Sequence, residues 1–209
     1  MKILIVDDHA VVREGLMRIL SDEIEGLIVD EATTAPEALA KACARRWDVV
    51  ILDLSLPGRG GLDVLKEIHQ QRPALPVLVM TMYSEEQYAV RAFRSGAVGY
   101  LTKGCPSTEV VVAVRKVAAG GKYVTPSVAE KLAGSMGAPT HAAAHEALSD
   151  RELQVLRMLA VGRSVKEIGN ELALSEKTIS TYRTRMLQKL ELRTTSDLIR
   201  YALRAGLVD

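Results

Sequence analysis

Apolar side chains follow two alternating spacings through the first 120 residues. Short and almost continuous apolar runs occur at 2–6, 27–30, 48–52, 76–80 and 97–101. Runs that are apolar on both faces are typical of strands in a parallel sheet covered by helices on either side. They predict five β-strands.

The segments between these runs have helical spacing. Val12, Leu16, Ile19 and Leu20 recur at the intervals of one helix face, and Pro36 suits the first turn of the next helix. Helices are predicted at 36–46, 62–71, 84–95 and 107–119. Strands that alternate with helices favour a doubly wound α/β fold, in which the ligand site lies at the carboxyl ends of the strands.

A segment rich in Ala, Gly and Pro interrupts this pattern. Residues 133–146 lack apolar periodicity and have the composition of a linker. A short helix is expected just before it, near 126–133.

The rest of the chain is predicted to form four short helices. Their start signals are Ser149 with Glu152, Ser164 with Glu167, Ser175, and Thr195 or Ser196. The first two pairs fit the S-x-x-E capping box. Only residues 172–175 separate the second helix from the third, which predicts a helix-turn-helix.

Composition and charge narrow the class of protein. The chain has 209 residues, 48% of them hydrophobic and 25% charged, which is typical of globular domains. No apolar run approaches the roughly 18 residues of a membrane helix, and two cysteines do not make a disulfide framework. We expect a cytoplasmic protein. The net charge is +1, but residues 148–209 carry 11 basic and 8 acidic side chains, so the end of the chain is mildly basic.

Candidate chemistry lies at the predicted strand ends. The residues concerned are Asp7, Asp8, Asp53, Thr81 and Lys103. Three neighbouring carboxylates repel one another unless a cation neutralises them, and oxygen ligands favour Mg²⁺ or Mn²⁺. A lysine and a threonine beside the metal would donate to phosphoryl oxygens. The pattern therefore predicts a site that accepts a phosphoryl group on a carboxylate.

Each of these residues has a simpler explanation when it is taken alone. Asp7 and Asp8 could cap the next helix, Asp53 could belong to a turn, and Lys103 could be a solvated loop residue. His9 is expected only to begin the first helix. Five suitable residue types at the ends of four strands favour the functional interpretation.

Residues 1–120 resemble a bacterial response-regulator receiver domain. The resemblance rests on VDDH at 6–9, DLSLPGRGG at 53–61, the threonine at 81 and GYLTK at 99–103. It implies a sheet in the flavodoxin-like order 2-1-3-4-5 and phosphorylation of Asp53 by the phosphohistidine of a partner histidine kinase.

The same resemblance implies a role for each of the other site residues. Asp8, Asp53 and the backbone carbonyl of Ser55 would ligate Mg²⁺, with Asp7 acting through water. Lys103 would pair with Asp53 and then with the phosphoryl oxygens, while Thr81 closes on the phosphoryl group and Tyr100 changes rotamer.

Residues 147–209 resemble a LuxR/NarL-type DNA-binding domain. The matching residues are LSDRELQVLRMLAVGRSVKEIGNELALSEKTISTYRTRMLQKL at 148–190. On the third helix Ile179, Met186, Leu187 and Leu190 share one face and are expected in the core.

The opposite face of this helix is polar and basic, as a helix that enters a major groove must be. The expected phosphate contacts are Lys177, Thr178, Arg185 and Lys189, and Ser180, Thr181 and Thr184 are expected nearer the base edges. Gln188 lies on the same face and Arg183 adds positive charge. The alternative is an ordinary solvated face.

Together these patterns predict a DNA-binding transcriptional regulator of a two-component system, with a receiver domain at 1–120, a linker at 121–146 and a DNA-binding domain at 147–209. Phosphorylation would release the DNA-binding domain, favour a homodimer, or do both. An aspartyl-phosphate phosphatase is the enzymatic alternative, but it would want an acid at position 9, which is His9. A regulator that binds DNA without phosphorylation, its receiver serving only for dimerisation, is the other alternative.

Overall fold

A computed structural model of the chain describes residues 1–126, 128–130 and 144–208. The chain divides into two compact units, residues 1–136 and 137–209. The predicted helix near 126–133 is described only at residues 126 and 128–130, which are helical. Its remaining residues lie outside the described ones.

The first unit is built on a parallel sheet of five strands in the order β2-β1-β3-β4-β5, which confirms the prediction. The strands are β1 Lys2–Val6, β2 Ile28–Ala32, β3 Val49–Leu52, β4 Val77–Thr81 and β5 Gly99–Thr102. Every residue of β3 and β4 is buried. This burial explains why the central strands have continuous apolar runs.

Strand β2 extends beyond the predicted run at 27–30, because Glu31 and Ala32 also belong to it. It is an edge strand, paired only with β1. There Asp30 forms an ion pair with Lys41 at 2.9 Å, and Glu31 pairs with Arg13. Side-chain pairing thus allows polar residues in a strand that the apolar pattern alone ends too early.

Five helices cover the two faces of the sheet. They are α1 Ala10–Glu23, α2 Ala35–Ala44, α3 Gly61–Gln71, α4 Glu85–Arg94 and α5 Ser107–Ala118. Leu16, Leu20, Val110 and Val114 pack α1 and α5 against the strands in one apolar core. Helices α2, α3 and α4 contact one another in sequence on the other side.

The chain returns to the sheet after α5. Tyr123 forms a parallel bridge with Gly99 of β5, and its hydroxyl donates to Glu109 at 2.7 Å. Two residues later, the Thr125 hydroxyl donates to Glu85 at 2.6 Å. Residues 121–125 are therefore bonded to β5, α5 and the first residue of α4.

The second unit is helical. A 3₁₀ turn at Ala144–Ala147 precedes α6 Asp150–Ala160, α7 Val165–Glu171, α8 Glu176–Lys189 and α9 Thr195–Arg204. Both predicted capping boxes, Ser149 with Glu152 and Ser164 with Glu167, are formed. No helix in the described ranges is both long enough and apolar enough to cross a bilayer.

The helix-turn-helix is formed by α7 and α8. In the turn between them the N–H of Leu174 donates to the carbonyl of Gly169 at 2.8 Å. A Cβ on Gly169 would lie 2.7 Å from the carbonyl oxygen of Leu174, so the two helices approach closely here. The final helix begins at Thr195, one of its two predicted first residues, and its N-cap Thr194 forms a capping box with Asp197.

Candidate phosphoacceptor site and nucleic-acid interface

Two carboxylates and one ammonium group meet at the carboxyl edge of the sheet. Asp7 follows β1, Asp53 follows β3, and Lys103 follows β5. The Lys103 Nζ lies 2.7 Å from Asp7 Oδ2 and 2.8 Å from Asp53 Oδ2. Asp7 is 3% exposed and Asp53 is 1% exposed. Residues nearly a hundred positions apart thus form one buried charged cluster, as the strand ends predict.

Two hydrogen bonds from backbone N–H groups hold Asp53 in place. The N–H of Asp53 donates to the carbonyl of Val6 at 2.8 Å, which continues the ladder between β3 and β1. The N–H of Ser55 then donates to Asp53 Oδ1 at 3.1 Å. The loop after β3 thereby turns back over Asp53 and fixes the orientation of its carboxylate.

A fourth side chain, His9, joins this cluster. Its Nδ1 lies 3.1 Å from Asp7 Oδ1 and 2.9 Å from Asp8 Oδ1. His9 is the N-cap residue of α1, as its expected place at the start of the helix requires, but its side chain makes no capping hydrogen bond. The sequence analysis missed its contact with the carboxylates. The available signal was its position directly after two acidic residues.

The donor set suits a divalent cation. Asp7, Asp8, His9 and Asp53 each offer one ligand atom, and these atoms all lie within 4.8 Å of one another. Three carboxylates share a single lysine, so negative charge is in excess. Carboxylate oxygens are the ligands that Mg²⁺ prefers, which means that the residues present fit the predicted ion.

The lysine is held in its charged form. Burial by itself would lower the pKa of Lys103, but the hydrogen bonds to Asp53 and Asp7 outweigh burial and raise the pKa above its usual value. An ammonium group that stays protonated is suited to pair with oxyanions at this position.

Thr81 is the last residue of β4, and Tyr100 lies in β5. Thr81 is fully buried, and among the described residues its hydroxyl oxygen has no hydrogen-bond partner. The Lys103 N–H donates to the Thr81 carbonyl at 2.8 Å, so these two residues are joined through the backbone. Tyr100 is 1% exposed and its hydroxyl donates to the carbonyl of Tyr83 at 2.9 Å.

In the second unit, α8 has the two faces that its sequence predicts. Ile179 and Met186 are completely buried and Leu190 is 8% exposed, whereas Leu187 is only half-buried. The outer face divides by burial. Lys177, Thr181, Thr184, Arg185, Gln188 and Lys189 are exposed, and Thr178, Ser180 and Arg183 are half-buried.

Two outer hydroxyls bond to their own helix. Thr181 Oγ1 donates to the carbonyl of Lys177 at 2.9 Å, and Thr184 Oγ1 donates to that of Ser180 at 3.1 Å. Each hydroxyl proton is directed along the helix, so each oxygen offers acceptor lone pairs to the surroundings.

One predicted DNA contact also has a structural partner. The Lys189 Nζ lies 2.7 Å from Glu152 Oε2, and Glu152 is only 2% exposed. The same carboxylate accepts the N–H of Ser149 in the capping box of α6. The pair joins the start of α6 to the end of α8, and no local sequence pattern links positions 37 residues apart.

Comparisons with known proteins agree with both units. Residues 3–115 match the family model for the response regulator receiver domain, and residues 146–202 match that for bacterial regulatory proteins of the luxR family. The chain is 39% identical over 210 residues to response regulator GacA of Pseudomonas aeruginosa, covering 100% of this chain and 98% of GacA.

A second relative and a solved structure show the same similarity. Response regulator UvrY of Escherichia coli K12 is 38% identical over 207 residues, which cover 98% of this chain and 94% of UvrY. The structure of RcsB from Salmonella enterica serovar Typhimurium, bound to promoter rprA in the presence of phosphomimetic BeF₃⁻, is 27% identical with a TM-score of 0.56. The match covers 96% of this chain and 97% of RcsB.

Proposed function

The chain belongs to the two-component response regulators that join a receiver domain to a LuxR-family DNA-binding domain, and on that premise we propose that Asp53 is its phosphoacceptor. The observation that carries the proposal is the burial of Asp53 against Lys103, 2.8 Å away, within a cluster of three carboxylates. The donor is the phosphohistidine of a sensor histidine kinase.

The transfer is a substitution at phosphorus. A carboxylate oxygen of Asp53 forms the new O–P bond, the P–N bond of the phosphohistidine breaks, and the imidazole nitrogen keeps the electron pair and takes up a proton. The chain thus supplies the groups for its own phosphorylation and for the later hydrolysis, while the family is one of regulators rather than classical enzymes.

The neighbouring residues divide the work of charge stabilisation. Asp8, Asp53 and the carbonyl of Ser55 would hold Mg²⁺ or Mn²⁺, with Asp7 joined through water. When bound, the cation offsets the negative charge of the carboxylates and phosphoryl oxygens. The Lys103 ammonium then pairs with a phosphoryl oxygen instead of with Asp53.

The switch residues follow from the same geometry. The buried Thr81 hydroxyl, which has no partner among the described residues, donates to a phosphoryl oxygen on Asp53. This movement of Thr81 displaces the loop after β4, where the Tyr83 carbonyl accepts a hydrogen bond from the Tyr100 hydroxyl. The change in that loop lets Tyr100 change rotamer.

Intact-mass measurement with a small phosphodonor and Mg²⁺ tests the phosphoacceptor. Wild type gains one phosphoryl group, and Asp53→Asn, which keeps the size of the side chain, gains none. An equal gain in both proteins would assign the phosphoryl group elsewhere. No gain in the wild type, with a donor that works on a known receiver, would favour either strict dependence on the kinase or phosphorylation-independent DNA binding.

In the DNA-binding unit, α8 enters the major groove. Lys177, Thr178, Arg185 and Lys189 contact phosphates, Ser180, Thr181 and Thr184 lie near base edges, and Arg183 and Gln188 flank them. Because the Thr181 and Thr184 oxygens face outward as acceptors, they suit the amino groups of cytosine and adenine. Lys189 contributes less than Lys177, since leaving Glu152 would strip a buried carboxylate of its partner.

Phosphorylation controls DNA binding through dimerisation, release of the DNA-binding unit, or both. Two exposed apolar residues of the first unit support dimerisation: Val11 on α1 is 81% exposed and Val112 on α5 is 57% exposed. A homodimer reads two half-sites and gains affinity because the second contact becomes intramolecular.

A further inference from the structure

The imidazole of His9 contacts two carboxylates and does not cap its helix. It is the N-cap residue of α1 and yet makes no side-chain hydrogen bond to the first turn. Its Nδ1 instead lies 3.1 Å from Asp7 Oδ1 and 2.9 Å from Asp8 Oδ1. The backbone N–H of His9 also donates to Asp7 Oδ1 at 2.9 Å. The side chain therefore has a position that helix capping does not explain.

The two carboxylate oxygens of Asp7 contact different side chains. Its Oδ2 pairs with Lys103 at 2.7 Å, and its Oδ1 faces His9. The His9 side chain is 60% exposed, so its ring lies at the solvent side of the cluster while Lys103 lies at the buried side. A cation that enters from solvent meets the imidazole first.

One separation matches that of two ligands on one metal ion. Ligands about 2.1 Å from a divalent first-row metal and at right angles to each other lie about 3.0 Å apart. The distance from Nδ1 to Asp8 Oδ1, 2.9 Å, is of this size, and Asp8 is the carboxylate proposed to ligate the cation directly. One ion can therefore bind both of these atoms at their present separation, while Asp7 keeps its proposed place behind a water.

We propose that His9 is a direct nitrogen ligand in this site and that it gives the pocket a preference for imidazole-binding divalent cations. Mg²⁺ favours oxygen ligands and gains little from a histidine, whereas Mn²⁺ and the later first-row metals accept imidazole increasingly well. This inference deepens the proposed function, since it concerns the cation of the same pocket, and it rests on that pocket holding a cation.

The matched variants are His9→Asn and His9→Ala. Asn keeps a polar group near the Nδ1 position but offers an amide oxygen in place of a ring nitrogen, and Ala removes the group altogether. Both variants are made in the full chain.

Pulsed EPR of bound Mn²⁺ is the direct test. The wild type shows hyperfine coupling to an imidazole ¹⁴N, and both variants lose it. Calorimetric titration adds the affinities. Loss of His9 weakens Mn²⁺ binding by about tenfold, the size of effect seen when groups around a metal are removed, and leaves Mg²⁺ binding within about threefold.

Each other result overturns the inference. Bound Mn²⁺ without ¹⁴N coupling in the wild type would place His9 outside the coordination sphere. Equal weakening of Mn²⁺ and Mg²⁺ in His9→Asn would make His9 a general positioning residue, and a wild type that binds neither cation would remove the metal site. Phosphoryl gain on Asp53, measured on the wild type with Mg²⁺, reports on the proposed function separately.

Discussion

At residue 61, the absence of a Cβ allows the loop after β3 to pack closely. A Cβ on Gly61 would lie 2.4 Å from Leu54 Cα and 2.5 Å from the carbonyl oxygen of Asp53. Gly61→Ala must therefore displace the backbone beside Asp53, and we expect the free energy of unfolding to fall by about 2 kcal/mol.

Gly15 on α1 is the matched control for this change. A Cβ there meets no atom within 4 Å, so Gly15→Ala should stabilise the chain by about 1 kcal/mol through helix propensity. Urea denaturation of both variants measures the two effects. Stabilisation by both substitutions would show that the loop after β3 has room to spare.

Lys103 is expected to contribute strongly to stability when no divalent cation is bound. Its side chain is 8% exposed, and removing it leaves the carboxylates of Asp7 and Asp53 buried together. Lys103→Met should lower the free energy of unfolding by about 3 kcal/mol. Addition of Mg²⁺ should restore part of the loss, because the ion replaces the missing positive charge.

Lys41→Met provides the comparison, since Lys41 is 30% exposed and its ion pair with Asp30 is partly solvated. We expect a loss below about 1 kcal/mol. Urea denaturation with and without Mg²⁺ distinguishes the two lysines, and equal losses would contradict a special role for the buried cluster.

Sequence reasoning located the residues of this site better than their contacts. Asp7, Asp53 and Lys103 could be found because parallel strands bring their carboxyl ends to one edge. The contact of His9 was missed, because its position directly after two acidic residues is a weak signal and the direction of a side chain at a helix start depends on its rotamer and its neighbours. The spacing of residues along the chain determines neither the rotamer nor the neighbours.

Among the elements, α6 and α8 are linked by a charge pair that makes the second unit sensitive to acid. Burial would raise the pKa of Glu152, but hydrogen bonds from Lys189 and Ser149 outweigh it and hold the pKa below that of an ordinary glutamate. A pKa that is lower in the folded than in the unfolded state contributes stability above about pH 4.3, which is lost as the pH falls through the lowered value.

Glu152→Gln should therefore reduce the fall in unfolding free energy between pH 7 and pH 3. Glu167→Gln is the control, because Glu167 has the same place in the capping box of α7 but is exposed. Urea denaturation followed through amide signals of α6 and α7 measures both variants. A larger change for Glu167→Gln would assign the acid sensitivity to capping rather than to the buried pair.

The charges on α8 lead to a prediction about salt. Lys177 is exposed on the outer face, and the phosphate contact proposed for it would release counterions when DNA binds. Lys177→Ala should weaken specific and random DNA alike and reduce the slope of log affinity against log salt by about 1.

Lys122→Ala removes an exposed lysine from the first unit and should change neither the affinity nor the slope. Binding titrations over a range of salt concentrations give both quantities. A change in base preference with an unaltered salt slope would move Lys177 from the phosphates to the bases.

The limits of element prediction are clearest at β2 and β5. Apolar runs identify strands because central strands are buried on both faces, and the predicted bounds lie within two residues of the observed ones. At the sheet edges this signal weakens. Asp30 in β2 is stabilised by its pairing with Lys41, and the bridge from Tyr123 to Gly99 joins β5 to a segment with no strand-like sequence.

For the whole molecule, the exposed valines of α1 and α5 predict where two copies meet. Val112→Asp places a charge on this surface, and we expect it to weaken dimerisation of the phosphorylated chain by about tenfold, since burial of an unpaired carboxylate is costly. Phosphoryl gain should be unaffected. Sedimentation velocity gives the dimer fraction.

Val161→Asp is the control, because Val161 is 61% exposed in the second unit and belongs to neither helix of the proposed surface. Its dimer fraction should equal that of the wild type. Unchanged dimerisation in Val112→Asp would move the contact to another face.

The two-unit organisation could be predicted from patterns that extend along whole segments, whereas the order of the sheet and the regulatory class were implied by the resemblance to receiver and LuxR-type domains. The predicted boundaries at 120 and 146 stay predictions. Individual hydrogen bonds, such as that from Thr125 to Glu85, join side chains that meet only after folding. The sequence pattern therefore does not predict them.

The returning segment at 121–125 has a practical consequence for building hybrid regulators. A graft that cuts the chain at residue 120 discards Tyr123 and Thr125, and with them the bonds that Glu109 and Glu85 make to this segment. It also leaves the outer side of β5 at Gly99 open to other strands. A graft that cuts after residue 130 keeps these hydrogen bonds and the bridge to Gly99. The transplanted receiver then retains the contacts that close its sheet edge, whichever DNA-binding domain follows it.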